Sequence, residues 1–207
     1  MTPEDTEVVW EEATARLATD PTFGQVVREV GSVRVPAGRS TRFAALARSI
    51  VYQQLAGAAA RTIHGRVVEA VGGTVTPESI RDTSEEALRG AGLSAAKHAA
   101  LVDLSTRVGE GDVVLDDLDD LDDAAVKARL VRVRGVGPWT ADMFLMFALR
   151  RPDVWPVGDL GVRQGMARLL GWDEAPTPKE LDLVGVGYRP WRSATAWYCW
   201  RALESGS

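Results

Sequence analysis

The stretch from Ala124 to Leu170 limits the fold of this chain more than any other. It reads as helix, glycine turn, helix, loop, and then a lone aspartate opening another helix. The first arm, Ala124-Ala125-Val126-Lys127-Ala128-Arg129-Leu130-Val131, has apolar residues at helical spacing and no breaker. Arg134-Gly135-Val136-Gly137-Pro138 follows. Glycine reaches backbone conformations that a Cβ forbids, and proline is tolerated in the first turn of a new helix. The second arm, Trp139 to Leu149, is apolar on nearly every side, which predicts burial. The chain then runs through Arg151-Pro152-Asp153-Val154-Trp155-Pro156 to Val157-Gly158-Asp159-Leu160-Gly161-Val162-Arg163.

A turn of this kind suits a phosphate. Small glycines let another backbone come close, and the amides opening the second helix point outward with the helix dipole behind them. The expected contacts are Gly135, Val136, Gly137 and Thr140. Nothing in that geometry reads a base, so the grip would be indifferent to sequence. A plain helix–helix turn with C-cap glycines would look the same up to this point.

The continuation carries more. The run VRVRGVGPWTADMFLMFAL followed by DVWPVGDLGVRQG resembles the helix-hairpin-helix plus Gly/Pro-Asp signature of the DNA base-excision glycosylases. Within them it is most similar to the alkylpurine branch, the 3-methyladenine DNA glycosylase II type. SIVYQQLAGAAARTIHGRV and YRPWRSATAWYCWRA agree, so the resemblance extends from about Phe43 to Leu203. It implies an all-α, two-lobed helical bundle with an active-site cleft between the lobes. Residues 1–207 would form one domain: lobe one at about 40–120, lobe two at about 121–207 plus the N-terminal segment, and the hairpin at 124–150. The chain is too short for the N-terminal β-rich domain often found in the family, so it looks like a compact member.

Read alone, Asp159 is a helix N-cap, one of the best roles for an aspartate. The resemblance makes it the catalytic carboxylate, and the two roles are compatible because a cap orients the group. Breaking a purine–deoxyribose bond develops positive charge on the sugar. A carboxylate beside the sugar stabilises that charge and orients the attacking water. An alkylated purine already carries positive charge and leaves as a neutral base, so one carboxylate suffices.

The resemblance also assigns the base pocket and the plug. Trp139 and a tryptophan near the C-terminus line the pocket; the second falls on Trp200, with Trp197 next. Met143 stands where some relatives carry an aromatic ring, which implies a looser pocket. An electron-rich indole face favours a cationic base. In glycosylases that also cut the strand, a lysine sits two residues after the second hairpin glycine. Here that position is Trp139, so a monofunctional enzyme leaving an abasic site is expected. The plug that fills the gap left by the flipped nucleotide falls on Gln54 or Leu55; a glutamine would bond to the orphaned base, a leucine would wedge. Without the resemblance, the adjacent Gln53 and Gln54 would read as solvated residues at a helix end. No redox or organic cofactor is implied. A structural monovalent cation, Na+ or K+, on the backbone carbonyls of Val131, Val133 and Val136 is implied by similar hairpins.

A net charge of −5 looks wrong for a DNA binder until it is located. Residues 112–123 hold seven aspartates and no basic residue, a charge of −7, whereas residues 124–207 sum to +4. Clustered charge, not the total, decides a nucleic-acid footprint. In the acidic segment Leu115, Leu118 and Leu121 recur every third residue, which predicts one helical or 3₁₀ turn with leucines inward and carboxylates in water. Cys199 is the only cysteine, which excludes an internal disulfide and the iron–sulfur cluster of some relatives. His64 and His98 lack the spacing of a metal site. No apolar run is long enough to span a bilayer, so a soluble, cytoplasmic protein is expected; the resemblance implies a monomer acting on double-stranded damaged DNA.

Further helices are predicted at Glu4–Ala18, Phe23–Val30, Phe43–Leu55 and Ala56–Val71. Others start near Thr76 and Ser84, and one runs from Ser94 to about Val108. Gly31–Thr41, with Pro36 and Gly38, reads as an irregular connection containing a weak strand at Val33–Val35. Arg192 and Trp191 are expected to tie the last helix to the core. Two other readings compete with the enzyme: a non-catalytic helix-hairpin-helix DNA clamp, and a helical interaction domain working through the acidic segment. A clamp needs neither Asp159 nor the tryptophans.

Overall fold

The computed structural model describes residues 3–35, 40–55 and 57–204. Pro36, Gly38 and Ala56 lie outside them. All regular structure among the described residues is helical. The chain forms two compact units, one made of Met1–Ala37 with Leu145–Ser207, the other of Gly38–Phe144.

The central unit holds α3 (Arg42–Tyr52), α4 (Gly57–Ala70), α5 (Pro77–Asp82), α6 (Glu85–Gly90), α7 (Ala95–Gly109), α8 (Asp123–Leu130) and most of α9 (Pro138–Phe147). α7 is its axis, touching α3, α5 and α6. Its buried Ala100, Leu101, Leu104 and Ser105 make one apolar stripe at helical period. α3 answers with Phe43, Leu46, Ala47, Ile50 and Val51. Side-chain oxygens of Thr41, Thr76, Ser84, Ser94 and Asp122 accept the amide three residues on and start α3, α5, α6, α7 and α8.

The hairpin belongs almost wholly to this unit, so the expected division near residue 120 falls instead at 144/145. Local ties account for the difference. Arg129 bonds back to the Val114 carbonyl and to Asp117, and the Arg134 amide donates to Asp103 on α7 at 2.8 Å.

The acidic segment makes the expected 3₁₀ turn at Leu118–Asp120, with Leu115 and Leu118 buried and Leu121 half-buried. Its carboxylates are not simply in water. Asp112 holds Arg107 and Arg132, Asp117 holds Arg129, and Asp119 holds Arg42.

The other unit holds α1 (Pro3–Ala18), α2 (Gly24–Val30), α10 (Leu160–Leu170), α11 (Pro178–Gly185) and α12 (Arg192–Glu204). α12 is buried on most sides and packs against α1, α2 and, most extensively, α10. Tyr198 donates to the Gly31 carbonyl at 2.9 Å, and Arg192 reaches Asp153 at 2.6 and 2.8 Å, the tie expected of it. Val33 and Val35 are buried but lie in irregular backbone, not in a strand. They serve as apolar plugs without a ladder partner. No helix among the described residues is long and apolar enough to cross a membrane.

Candidate active site and candidate nucleic-acid hairpin

In the central unit, α8 and α9 are joined by a turn whose amides fold onto nearby carbonyls: Val133 onto Leu130 at 3.1 Å and Val136 onto Val133 at 3.0 Å. Gly135 has φ +75°, and a Cβ there would meet Ala100 on α7 at 3.3 Å. Both its conformation and its packing call for glycine. Gly137 differs. Its φ is ordinary, and an added Cβ would meet nothing within 4 Å, so the fold does not require a glycine there. Pro138 opens α9, and the first-turn N–H groups of a helix have no acceptor within the helix itself.

Thr140 is a correction. It is 3% exposed, and its hydroxyl accepts from Gln53 Nε2 at 2.9 Å, so its side chain is not offered to a phosphate. The same Gln53 nitrogen donates to the Gly135 carbonyl at 3.0 Å. Gln53 is therefore a tether between the end of α3 and the hairpin, not a solvated residue. Adjacent glutamines gave no sign of which one turns inward. Lys97 Nζ completes the junction by donating to the carbonyls of Val51 and Gln53 at 2.7 and 2.8 Å. Burial lowers its pKa from the usual lysine value. Gln54 takes the left-handed conformation, φ +56°, and is exposed; Leu55 is half-buried.

The apolar second arm is not uniformly buried. Ala141, Phe144, Leu145 and Met146 are inside, whereas Trp139 and Phe147 are 41% and 40% exposed. Met143, one turn beyond Trp139, is half-buried. Asp142 faces inward at 7% exposure and meets Lys127 of α8 at 2.5 Å, an ion pair linking the two arms. Burial holds the Asp142 carboxyl above the usual aspartate range, against the pull of Lys127.

As cation ligands, the carbonyls of Val131, Val133 and Val136 are neutral oxygens of the type that suits a hard monovalent ion. The Val133 oxygen already takes the Val136 amide, which leaves it one lone pair. Among the described residues no cluster of three or more His, Cys, Asp or Glu side chains could hold a metal.

In the other unit, Asp159 is the N-cap of α10 and is 9% exposed. Its backbone (φ −78°, ψ 120°) is extended, and its amide donates to the Pro156 carbonyl at 2.8 Å. Oδ1 accepts the Val162 amide at 2.8 Å and the indole N–H of Trp200 at 2.9 Å. Below it, buried Trp155 donates to the Leu181 carbonyl at 2.9 Å and anchors the loop. A Cβ on Gly185 would strike the Trp155 ring at 2.3 Å, so the anchor needs that glycine.

Trp200 thus meets Asp159, and its ring stacks on Phe147, with centroids 5.9 Å apart and planes at 26°. Trp197, the other candidate pocket ring, carries the Arg201 guanidinium over one face at 5.1 Å. The partners Gln53, Lys97, Phe147 and Gly161 were not foreseen, because no local pattern marks a residue whose role is to hold another.

Comparison with known proteins bears on both regions. Residues 47–184 match the family model described as HhH-GPD superfamily base excision DNA repair protein. A DNA-3-methyladenine glycosylase of Schizosaccharomyces pombe is 31% identical over 190 residues, 89% of this chain and 83% of that protein. A solved structure of the 3-methyladenine DNA glycosylase of the same yeast, in complex with abasic DNA, superposes with a TM-score of 0.82 at 31% identity. It covers 92% of this chain and 95% of that one. A Bacillus subtilis protein, named as a candidate DNA-3-methyladenine glycosylase, is 30% identical over 164 residues, 76% of this chain. This chain spans only 57% of that relative's length.

Proposed function

The chain belongs to the HhH-GPD superfamily of base excision DNA repair proteins, and we propose that it is a monofunctional glycosylase that removes alkylated purines from duplex DNA. The observation that carries this reading is Asp159, a buried carboxylate fixed by an amide and an indole N–H at the mouth of a helix. It follows the hairpin within residues 47–184, the span that the family model matches. The expected lesions are of the 3-methyladenine and 7-methylguanine class, in keeping with the names of the relatives.

Base flipping brings the target sugar out of the stack. The N-glycosidic bond breaks with its electron pair going to the alkylated purine, which leaves neutral. Positive charge then develops at C1′ and the ring oxygen, and the Asp159 carboxylate stabilises it. Water attacks C1′ and loses its proton to that carboxylate, leaving an abasic site. Trp139 carries no amine, so no Schiff base forms at that position. Its exposed indole at the start of α9 offers a π face to a cationic base, with Met143 one turn on.

The hairpin supplies the grip. Gly137 supports this role because the fold gives no reason for its missing Cβ, and a phosphate approaching the α9 amides does. Val136 and Gly135 shape the turn. The exposed Gln54, in its left-handed conformation, is the better plug, with Leu55 beneath as the apolar alternative. A Na+ or K+ ion on the Val131, Val133 and Val136 carbonyls would stiffen the turn and take no part in the chemistry. The protein acts as a monomer on double-stranded DNA, in the compartment that holds the DNA.

The test is base release from duplexes carrying single defined lesions, analysed by chromatography. Free 3-methyladenine and 7-methylguanine are expected. Duplex binding without release of any base would replace this reading with that of a DNA clamp.

A further inference from the structure

Sequence resemblance places Trp200 in the base pocket, but its hydrogen bond suggests different work. We propose that Trp200 is a positioning residue for Asp159, and that Gly161 is the clearance that lets it act. The inference rests on the proposed function and specifies how its carboxylate is held.

Three observations converge. The Trp200 indole N–H donates to Asp159 Oδ1 at 2.9 Å, the same oxygen that takes the Val162 amide at 2.8 Å. Both donors therefore grip one oxygen, and this fixes the direction of the other. An N-cap bond alone leaves the carboxylate free to swing about its Cβ bond. A second donor from another helix removes that freedom. The Trp200 ring is itself braced, stacked on Phe147 at 5.9 Å.

The third observation is steric. A Cβ at Gly161 would come to 2.9 Å from Trp200 Cδ1, 3.1 Å from Nε1 and 3.1 Å from Asp159 Oδ1. A methyl group there intrudes on the donor, the acceptor and the bond between them. Its φ is not in the left-handed region, so space and not conformation demands the glycine. One turn along α10, a Cβ at Gly165 would strike the Cys199 carbonyl at 2.1 Å. Gly165 lets α12 lie against α10, and Gly161 lets the next residue of α12 reach the cap. Cys199, next to Trp200 on α12, is fully buried and its thiol is pushed up by burial and then by the Asp159 charge, so it stays neutral.

A positioning role and a stacking role predict different things. Trp200→Phe keeps an aromatic ring to face Phe147 and removes the N–H together with the five-membered ring that carries it. If Trp200 positions Asp159, excision should slow about tenfold, the scale of losing a hydrogen bond to a charged group. The loss should be equal for cationic lesions and for neutral ones such as hypoxanthine, with abasic-duplex affinity unchanged. Gly161→Ala should produce a similar loss, and the double variant should be no worse than either single one, because both remove one contact. Selective loss on cationic lesions, or additive losses, would overturn the positioning role.

A readout independent of catalysis separates this inference from the reading beneath it. In protein with 15N-labelled tryptophan, the Trp200 indole signal, assigned by its disappearance in Trp200→Phe, should shift in Asp159→Asn and in Gly161→Ala. An indole signal indifferent to Asp159→Asn would sink the inference, whatever the activity. A responsive signal in a protein that releases no base would count against the glycosylase reading and leave the hydrogen bond standing.

Discussion

The hairpin turn and the Asp159 turn are both loops that open a helix, yet they are built on opposite principles. At the hairpin, what would meet a partner is backbone beside an exposed Gly135 and a half-exposed Gly137, and the side chains nearby are turned inward as struts. Gln53 ties Thr140 to the Gly135 carbonyl, and Lys127 ties α8 to Asp142. At Asp159 the proposed working group is a side chain, almost fully buried, with two donors on one oxygen. A phosphate grip needs only amides and clearance, and tolerates any base sequence. Chemistry at one sugar carbon needs a charge held in one direction. The contrast predicts that variants at the two turns fail in different assays.

The largest effect belongs to Asp159→Asn. It keeps size and cap but removes the charge, and excision should fall at least ~10²-fold in single-turnover assays. Affinity for an abasic-site duplex, measured by fluorescence anisotropy, should change little. Near-normal excision would erase the distinction between the two turns.

Next comes Trp139→Leu. If the indole faces a charged base, excision of cationic lesions should drop about thirtyfold while neutral lesions suffer less, since a desolvated cation–π contact is worth roughly 2 kcal/mol. Equal losses would reduce Trp139 to a packing residue.

The hairpin glycines should behave in the opposite way to Asp159. Gly137→Ala meets no steric obstacle in the protein, so it should fold normally and weaken binding to damaged and undamaged duplex alike, by about tenfold. Gly135→Ala, at φ +75° and 3.3 Å from Ala100, should lower thermal stability as well. A Gly137→Ala variant that binds normally would leave that glycine unexplained.

The smallest effect is in stability. Lys127→Met leaves the Asp142 carboxylate buried without its cation and should lower Tm by roughly 2–4 °C at neutral pH, the scale of about 1 kcal/mol in a domain this size. Because the folded-state pKa of Asp142 is raised, the folded protein holds that proton more tightly than the unfolded chain does. The site's contribution to stability therefore falls as pH rises from the ordinary aspartate range through the raised folded value. The Tm deficit of Lys127→Met should shrink on going from pH 7 to pH 4. A deficit that grows on acidification would show that the pair is not what links the arms.

Much of this architecture was legible because it is written locally. Ser94, Thr76 and Asp159 announce helix starts, and the leucines of the acidic segment announce their turn by spacing alone. The family motifs carried the rest of the helical fold. What stayed hidden was tertiary. The sequence pattern made α9 apolar throughout, but the exposure of Trp139 and Phe147 depends on what packs where. The seven aspartates of 112–123 read as solvated charge, yet Arg132 and Arg42, 20 and 77 residues away, reach Asp112 and Asp119. Gln53 looked like its neighbour Gln54, and only the fold turns one inward and leaves the other exposed. Trp200 was identified as an aromatic wall; its N–H and the Gly161 clearance become visible only when α12 lies on α10.

The most direct test of the account is the state of the DNA strand after base release. Wild-type protein is incubated in single turnover with a 7-methylguanine duplex, then treated with or without alkali, and in parallel with borohydride. If a lone carboxylate directs water to the sugar, the free base appears and the strand stays whole until alkali cuts it. No protein is trapped on the DNA. A borohydride-stable adduct would reveal an amine nucleophile in place of water, on Lys97, Lys127, Lys179 or the N-terminus, and the hydrolytic role given to Asp159 would be wrong.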